Sequence, residues 1–286
     1  MTAVRLPPVV RNVAKRAFRS YGVATASMRP LPDFLIIGAK RGGTTSLYTD
    51  LLSHPGIVPL MPAAQNIKGV HFFDSSFHRG VPWYRSHFPT SGARGRHGIA
   101  GEASPYYLAH PLAAARARQV VPGAKVVLVL RNPVDRAFSH WRERVRHDAD
   151  DLSFEDAIRR ERERLAGERE RLASGVVATS WEHEHHTYLE QGRYAELLTP
   201  WLERFPRERV FVARSEDVFA DPDAVRKRLL RFLGLAPVGS SGFPRRNYHG
   251  GEPMDPAIRR ELVAEFRPHN QALSELVGLD VGEWNR

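Results

Sequence analysis

Five residues that a parallel sheet would bury on both faces, Phe34-Leu35-Ile36-Ile37-Gly38, run into Ala39-Lys40-Arg41-Gly42-Gly43 and then into Thr44-Thr45-Ser46-Leu47. A short unbroken apolar run bounded by glycine fits a buried strand, and the residues after Gly43 fit the first turn of an apolar helix. The glycines leave backbone N–H groups uncovered, while the helix aims the positive end of its dipole at the same point. The segment therefore imposes a strand–loop–helix order and forms a pocket for a phosphate or sulfate group. Lys40, Arg41, Gly42, Gly43, Thr44, Thr45 and Ser46 are its candidate residues. An ordinary glycine-rich turn would call for neither three glycines nor paired threonines.

Gly38 and Gly43 keep the G-x-x-x-x-G spacing of a P-loop, but Thr44 stands where a nucleoside-triphosphatase carries its phosphate-binding lysine. A second apolar run, Lys125 to Leu130, is followed by Arg131-Asn132-Pro133 and a helical stretch through Ser139 to Trp141. Asn132 suits a helix cap and Pro133 the first helical position. Arg131 then falls at the carboxyl end of a strand, where open α/β sheets bind ligands, and Ser139 offers a hydroxyl to the same anion. A strand built to hold magnesium would end in aspartate; this one ends in arginine. The two segments describe two anion sites that meet protein cations directly.

These motifs resemble the sulfotransferase family. Gly38 to Leu47 is similar to its 5′-phosphosulfate loop and Arg131 to Trp141 to its 3′-phosphate element. Val70-His71-Phe72-Phe73-Asp74, Pro82-Trp83-Tyr84, Gly101 to Tyr107 and Gly192-Arg193-Tyr194 resemble its heparan-sulfate-like branch in particular. The resemblance runs from about Asp33 onward. It implies a single P-loop-like α/β domain and the donor 3′-phosphoadenosine-5′-phosphosulfate (PAPS), with no metal. It also implies transfer of a sulfuryl group to a hydroxyl or amine of a small-molecule, glycan or glycolipid acceptor.

The alternation of strands and helices independently points to a mainly parallel sheet flanked by helices, and 286 residues suffice for one such domain. Strands are expected at 33–38, near 98–101, at 125–130 and at 209–213. Helices are expected at 44–53, 133–146, 189–205, 222–233 and 255–277, with a charged, exposed helix over 154–173. Residues 1–32 read as a basic arm holding six Lys or Arg, and 33–286 as the domain. The arm fits either a loosely docked terminus or an amphipathic helix resting on an anionic membrane. It lacks the continuous apolar stretch of a secretory signal. Lys and Arg exceed Asp and Glu by ten, which favours anionic partners, but no nucleic-acid-binding signature is present. The absence of cysteine excludes disulfide and thiolate chemistry and fits a reducing compartment. A cytoplasmic protein, in peripheral contact with a membrane through the arm, is the expectation.

Three departures from the resembled pattern concern the chemistry. Arg41 replaces the lysine two residues before the last loop glycine, which keeps a fixed charge for the leaving phosphate but supplies a poor proton donor. Gly69, in Lys68-Gly69-Val70-His71, occupies the place of the branch's glutamate base, and Ala103 that of a lysine. His71 is the first candidate base, because residues 69 and 71 of an extended segment share a side and imidazole titrates near neutrality, with a structural residue packed beside Phe72 and Phe73 as its alternative. Glu102 is the second, with helix capping or a buried salt link as its alternative, and Asp74 the third, with a turn as its alternative. His183-Glu184-His185-His186 lacks the H-E-x-x-H spacing of a zinc site and fits a polar loop or helix start. The resemblance makes Arg245 and Arg246, before Asn247 to Gly251, candidates for closing on the 3′-phosphate, with surface arginines as the alternative. A PAPS-binding protein without catalysis and a P-loop nucleotide kinase are the competing readings.

Overall fold

Both long apolar runs form strands buried on both faces. The structure, a computed structural model, describes residues 8–238 and 252–286. Strands β1 (Phe34–Gly38), β2 (Gly101–Ala103), β3 (Lys125–Leu130) and β4 (Val210–Arg214) form an all-parallel sheet in the order β2-β1-β3-β4. Phe34 pairs with Gly101 on one side and Lys125 on the other, and Val126 pairs with Val210. The two-residue period of a strand divides the core. Leu35, Ile37, Val126, Leu128 and Val212 enter one apolar layer, and Phe34, Ile36, Val127, Val129 and Phe211 the other.

Helices cover both layers. In chain order they are α1 (Pro8–Ala24), α2 (Thr44–Leu51), α3 (Gly80–Arg85), α4 (Ser91–Arg94), α5 (Ala113–Val120) and α6 (Pro133–Arg146). There follow α7 (Phe154–Arg164), α8 (Glu168–Ala173), α9 (Trp181–His185), α10 (Tyr194–Leu202), α11 (Ser215–Ala220), α12 (Pro222–Leu233) and α13 (Pro256–Val277). Leu47 and Leu51 of α2 and Leu229, Leu230 and Leu233 of α12 close one face of the sheet. Leu198 and Trp201 of α10, Leu273 of α13 and Trp284 close the other. Helix α6 starts as expected, with Asn132 Oδ1 accepting from the Val134 N–H at 3.0 Å and Pro133 in the first turn.

Several boundaries differ from expectation. The edge strand β2 lies at 101–103, and Ile57 and Ile99 make only an isolated parallel bridge. The charged stretch 154–173 is two helices, because Gly167 takes a left-handed φ of 76° between α7 and α8. The helix expected from 189 begins at Tyr194, after a 3-10 turn over Glu190–Gly192. The arm is docked. Arg19 donates to Ser86 Oγ at 3.0 Å, and the buried Arg29 donates to the Phe88 carbonyl at 2.6 Å.

Glu102, in β2, organises the ground beside the sheet. Its carboxylate is fully buried and accepts from Tyr84 Oη at 2.7 Å, Tyr107 Oη at 2.9 Å, Ser104 Oγ at 2.7 Å and the Val70 N–H at 2.7 Å. Burial pushes its pKa above the usual carboxylate range, and the four donors counter that only in part. Replacing Glu102 with Ala strands these donors in a dry interior, so stability should fall by about 3 kcal/mol or more. Urea unfolding measures this, and a loss under about 1 kcal/mol would show that the network holds nothing together.

Candidate functional site

The chain leaves β1 towards β2 on one side of the sheet and leaves β3 towards β4 on the other. Between their carboxyl ends lies the switch point at which open α/β sheets form a crevice. A cleft of about 790 Å³ opens there, lined by the loop after β1, the start of α2, Arg131 and α6. The Ala39 N–H donates to the Val129 carbonyl at 2.8 Å and the Gly42 N–H to the Ala39 carbonyl at 2.9 Å, which pins the loop to β3. A Cβ on Gly42 would fall 2.3 Å from the Val129 carbonyl oxygen, so the close approach requires glycine. Gly43 takes φ 99° as the cap of α2. The first N–H groups of a helix find no carbonyl within it, and the first turn of α2, Thr44 to Ser46, lines the cleft.

Seven Lys and Arg residues line this cleft: Lys40, Arg41, Lys68, Arg131 and, from α6, Arg142, Arg144 and Arg146. Arg41 reaches across to α6, donating through Nε to Ser139 Oγ at 3.1 Å and through Nη1 to Glu143 Oε1 at 3.1 Å. Lys40 Nζ donates to the Glu184 carbonyl at 3.0 Å, and burial together with the charge of Arg144 brings its pKa down to about 8. Lys68 Nζ donates to Thr45 Oγ1 at 2.9 Å, and burial, helped by Arg41 and opposed by Glu143, likewise brings it to about 8. Arg131 lines the same cleft, its carbonyl held by Tyr194 Oη at 2.8 Å. Phe138 and Phe219 add apolar wall. The expected donor-site residues therefore come together, with Gly42 beneath them. Arg245 and Arg246 lie outside the described residues. Lys68 is an addition to the expected set: the sequence shows a lysine but not its contact with a loop more than twenty residues away.

His71 also lines the cleft, with its side chain 42% exposed. The segment is not extended there. His71 has φ 52° and opens a turn, with its N–H on Ser104 Oγ at 3.0 Å. Its Nδ1 lies 2.7 Å from Asp74 Oδ2, and Asp74 is buried and also accepts from the Ser75 N–H at 2.5 Å. Asp74 is thus both a turn residue and the partner of His71. Burial by itself would lower the His71 pKa, but the Asp74 hydrogen bond and the charges of Asp74, Glu102 and Glu184 outweigh it and hold it above the ordinary value. Glu102 does not reach the cleft; its oxygens are spent on the four buried donors. A Cβ at Gly69 would lie 2.5 Å from the Ala103 carbonyl oxygen, so this backbone leaves no room for a side chain there.

Of the histidine cluster, Glu184 and His185 line the cleft whereas His183 and His186 are buried. Burial raises the Glu184 pKa, with Lys40 pulling it back and Asp74 adding to it. Among the described residues no group of three or more His, Asp or Glu is placed to hold a metal ion.

A parallel α/β sheet with a cation-lined cradle in place of a metal-binding strand end defines the class. The chain belongs to the sulfotransferase family, matching the family described as "Sulfotransferase domain" over residues 31–241. It is 30% identical over 281 residues to mouse heparan sulfate glucosamine 3-O-sulfotransferase 3B1, covering 90% of this chain. It is 28% identical over 288 residues to mouse bifunctional heparan sulfate N-deacetylase/N-sulfotransferase 4, again covering 90% of this chain. The chain spans 66% of the first relative and 31% of the second. The crystal structure of a sulfotransferase from Alicyclobacillus acidocaldarius superposes with a TM-score of 0.70 at 30% identity, covering 90% of this chain and 100% of that one.

The two depressed lysines give the cradle a pH signature. Both are charged below a pKa of about 8 and lose charge above it. Affinity for inorganic pyrophosphate should therefore fall on going from about pH 7 to about pH 9, by roughly tenfold if a single charge contact is lost. The double variant Lys40→Met, Lys68→Met should bind weakly and lose this dependence. Calorimetry at several pH values checks it, and a flat wild-type profile would contradict the assignment.

Proposed function

We propose that the protein transfers a sulfuryl group from PAPS to a hydroxyl, or an amine, of a carbohydrate or glycolipid acceptor. The observation that carries this reading is that two strand-to-helix anion sites and the His71–Asp74 pair share one cleft. The donor is a nucleotide with two separate anionic ends, which suits two separate cationic sites. Lys40, Arg41, Lys68 and the N–H groups of Thr44 to Ser46 would hold the 5′-phosphosulfate, and Arg131 and Ser139 the 3′-phosphate. The phosphosulfate supplies the activated sulfuryl group; the protein supplies alignment and charge.

Arg41, fixed by Ser139 and Glu143, presents a permanent charge to the leaving phosphate. Arg41→Lys should keep substantial turnover, whereas Arg41→Ala should lose roughly a hundredfold or more. The Asp74 carboxylate can only accept a hydrogen bond, so neutral His71 carries its proton on Nδ1 and leaves Nε2 free to take the acceptor's proton. The heparan sulfate acceptors in the names of two relatives support a sugar as the acceptor class. A cytoplasmic location, with α1 touching an anionic membrane surface, belongs to the same proposal. No helix among the described residues is long and apolar enough to cross a membrane.

Two experiments test the reading. In calorimetry without added metal, 3′-phosphoadenosine 5′-phosphate should bind far more tightly than AMP. Arg131→Ala should erase most of that preference, since a charged hydrogen bond is worth about 1.5–3 kcal/mol. Equal binding of AMP by the intact protein would refute the donor assignment. In a transfer assay across sugar acceptors with labelled donor, His71→Ala should lower turnover by about 10²–10⁴-fold with donor affinity nearly intact. Because the base must be unprotonated and its pKa is raised, wild-type activity should fall with an acid limb above pH ~6.5. Normal donor binding with no transfer to any acceptor would instead favour a nucleotide-binding protein without catalysis, the reading that Gly69 invites.

A further inference from the structure

Helix α9 divides the run His183-Glu184-His185-His186 between two tasks. His183 Nδ1 meets Tyr106 Oη at 2.7 Å, while His186 meets Glu182 Oε2 at 2.5 Å and the Ala149 carbonyl at 2.9 Å. These two rings are buried and fasten the helix to its surroundings. Glu184 and His185 line the cleft. Trp181, one turn before His185, packs its ring against the His185 ring at a centroid distance of 3.9 Å. Trp181 is 59% exposed, so it keeps a broad apolar surface with a polar N–H at its edge open to solvent beside His185.

The surroundings hold this face in place and join it to the cleft through His185. Arg144 Nη1 donates to His185 Nδ1 at 2.8 Å, which fixes the ring on which Trp181 rests. Lys40, in the anion loop, holds the Glu184 backbone carbonyl at 3.0 Å, so the helix is tied directly to the cradle. The Glu184 side chain is charge-coupled to His71. A carboxylate, an imidazole and an exposed indole thus lead outward from the His71 end of the cleft along one short helix.

We propose that Trp181, Glu184 and His185 form an acceptor subsite for a sugar ring, with the ring's C–H face on the Trp181 indole and a hydroxyl or amine donating to the Glu184 carboxylate. A pyranose joins an apolar face to a rim of hydroxyl donors, and this wall joins an apolar face to a group that only accepts. A sulfate or carboxylate of the acceptor is repelled from the Glu184 position, which selects the ring presented there. The proposal rests on the sulfuryl-transfer reading and names the residues that would meet its sugar acceptor.

The test titrates three probes into the full chain, with and without saturating 3′-phosphoadenosine 5′-phosphate: a tetrasaccharide of alternating glucuronic acid and N-acetylglucosamine, a chitotetraose, and 4-nitrophenol. At least one sugar should bind. Trp181→Ala should weaken that sugar roughly tenfold or more, Trp181→Phe much less, and Glu184→Ala roughly tenfold. Affinity for the nucleotide should stay within about twofold in the two Trp181 variants, which also reports their folding, and should not fall in Glu184→Ala, which removes a negative charge beside Lys40. No binding of either sugar overturns the proposal, as does sugar binding indifferent to Trp181→Ala. Tighter, Trp181-dependent binding of 4-nitrophenol would assign the wall to planar aromatic alcohols and likewise overturn it. Failure of the nucleotide itself to bind would fall on the donor assignment, and the sugar titrations without nucleotide would still decide this one.

Discussion

The site depends on the contact between the first loop and the third strand. Glycine at position 42 lets the loop settle against the Val129 carbonyl, and the Ala39 N–H bonds that same oxygen. The turn is thereby held over the gap where β1 and β3 send the chain in opposite directions. The start of α2 and residue 131 are then fixed relative to each other by the sheet, and the Arg41 bridge to Ser139 and Glu143 of α6 adds a direct tie. An anion site on a single loop would have no such partner. Two of them, set by adjacent strands, measure a distance, and a nucleotide carrying anionic groups at both ends of its ribose is the kind of ligand that reads one.

The other wall follows from a different constraint. Glu102 gathers two tyrosines, a serine and the Val70 N–H in a place without water, and so fixes the chain just before the turn at His71. That turn offers Nδ1 to Asp74 and leaves the imidazole half-exposed. A carboxylate engaged with four donors is badly suited to exchanging protons, while an imidazole with one firm partner and one open nitrogen is well suited. Burial therefore separates the two: Glu102 is held inside as an anchor, and His71 is left facing the cleft.

The strands and the anion loop were legible because their signals are local: a five- or six-residue apolar run, glycines at tight approaches, a proline at a helix start. Strand β2 was misplaced because three residues carry no periodicity, and their pairing is decided by β1. The charged stretch from Phe154 read as one helix because its charges continue past Gly167, and a single glycine is a weak local stop. The place of Lys68 and Glu184 in the cleft is hidden in the sequence for another reason. Their neighbours in the cleft, Thr45 and Lys40, lie far away in the chain, and only folding reveals those contacts. Glu102 looked like a catalytic candidate because sequence shows a carboxylate but not its burial.

The electrostatics of the cleft join its two halves. Gathering Lys40, Arg41, Lys68 and Arg131 into a partly dry space costs free energy, and the depressed lysine pKa values record that cost. Glu143 relieves part of it at Arg41, and the Glu184 carbonyl gives Lys40 a partner. An arriving polyanion relieves the rest, so binding should restore to the lysines the charge that burial weakens. Lys40 also spans from the anion loop to α9, and an anion that draws its ammonium group competes with the Glu184 carbonyl for the same proton donors. Occupancy of the cradle and the position of the wall beside His71 are thus coupled through one side chain, and the direction of that coupling is set by which acceptor Lys40 prefers.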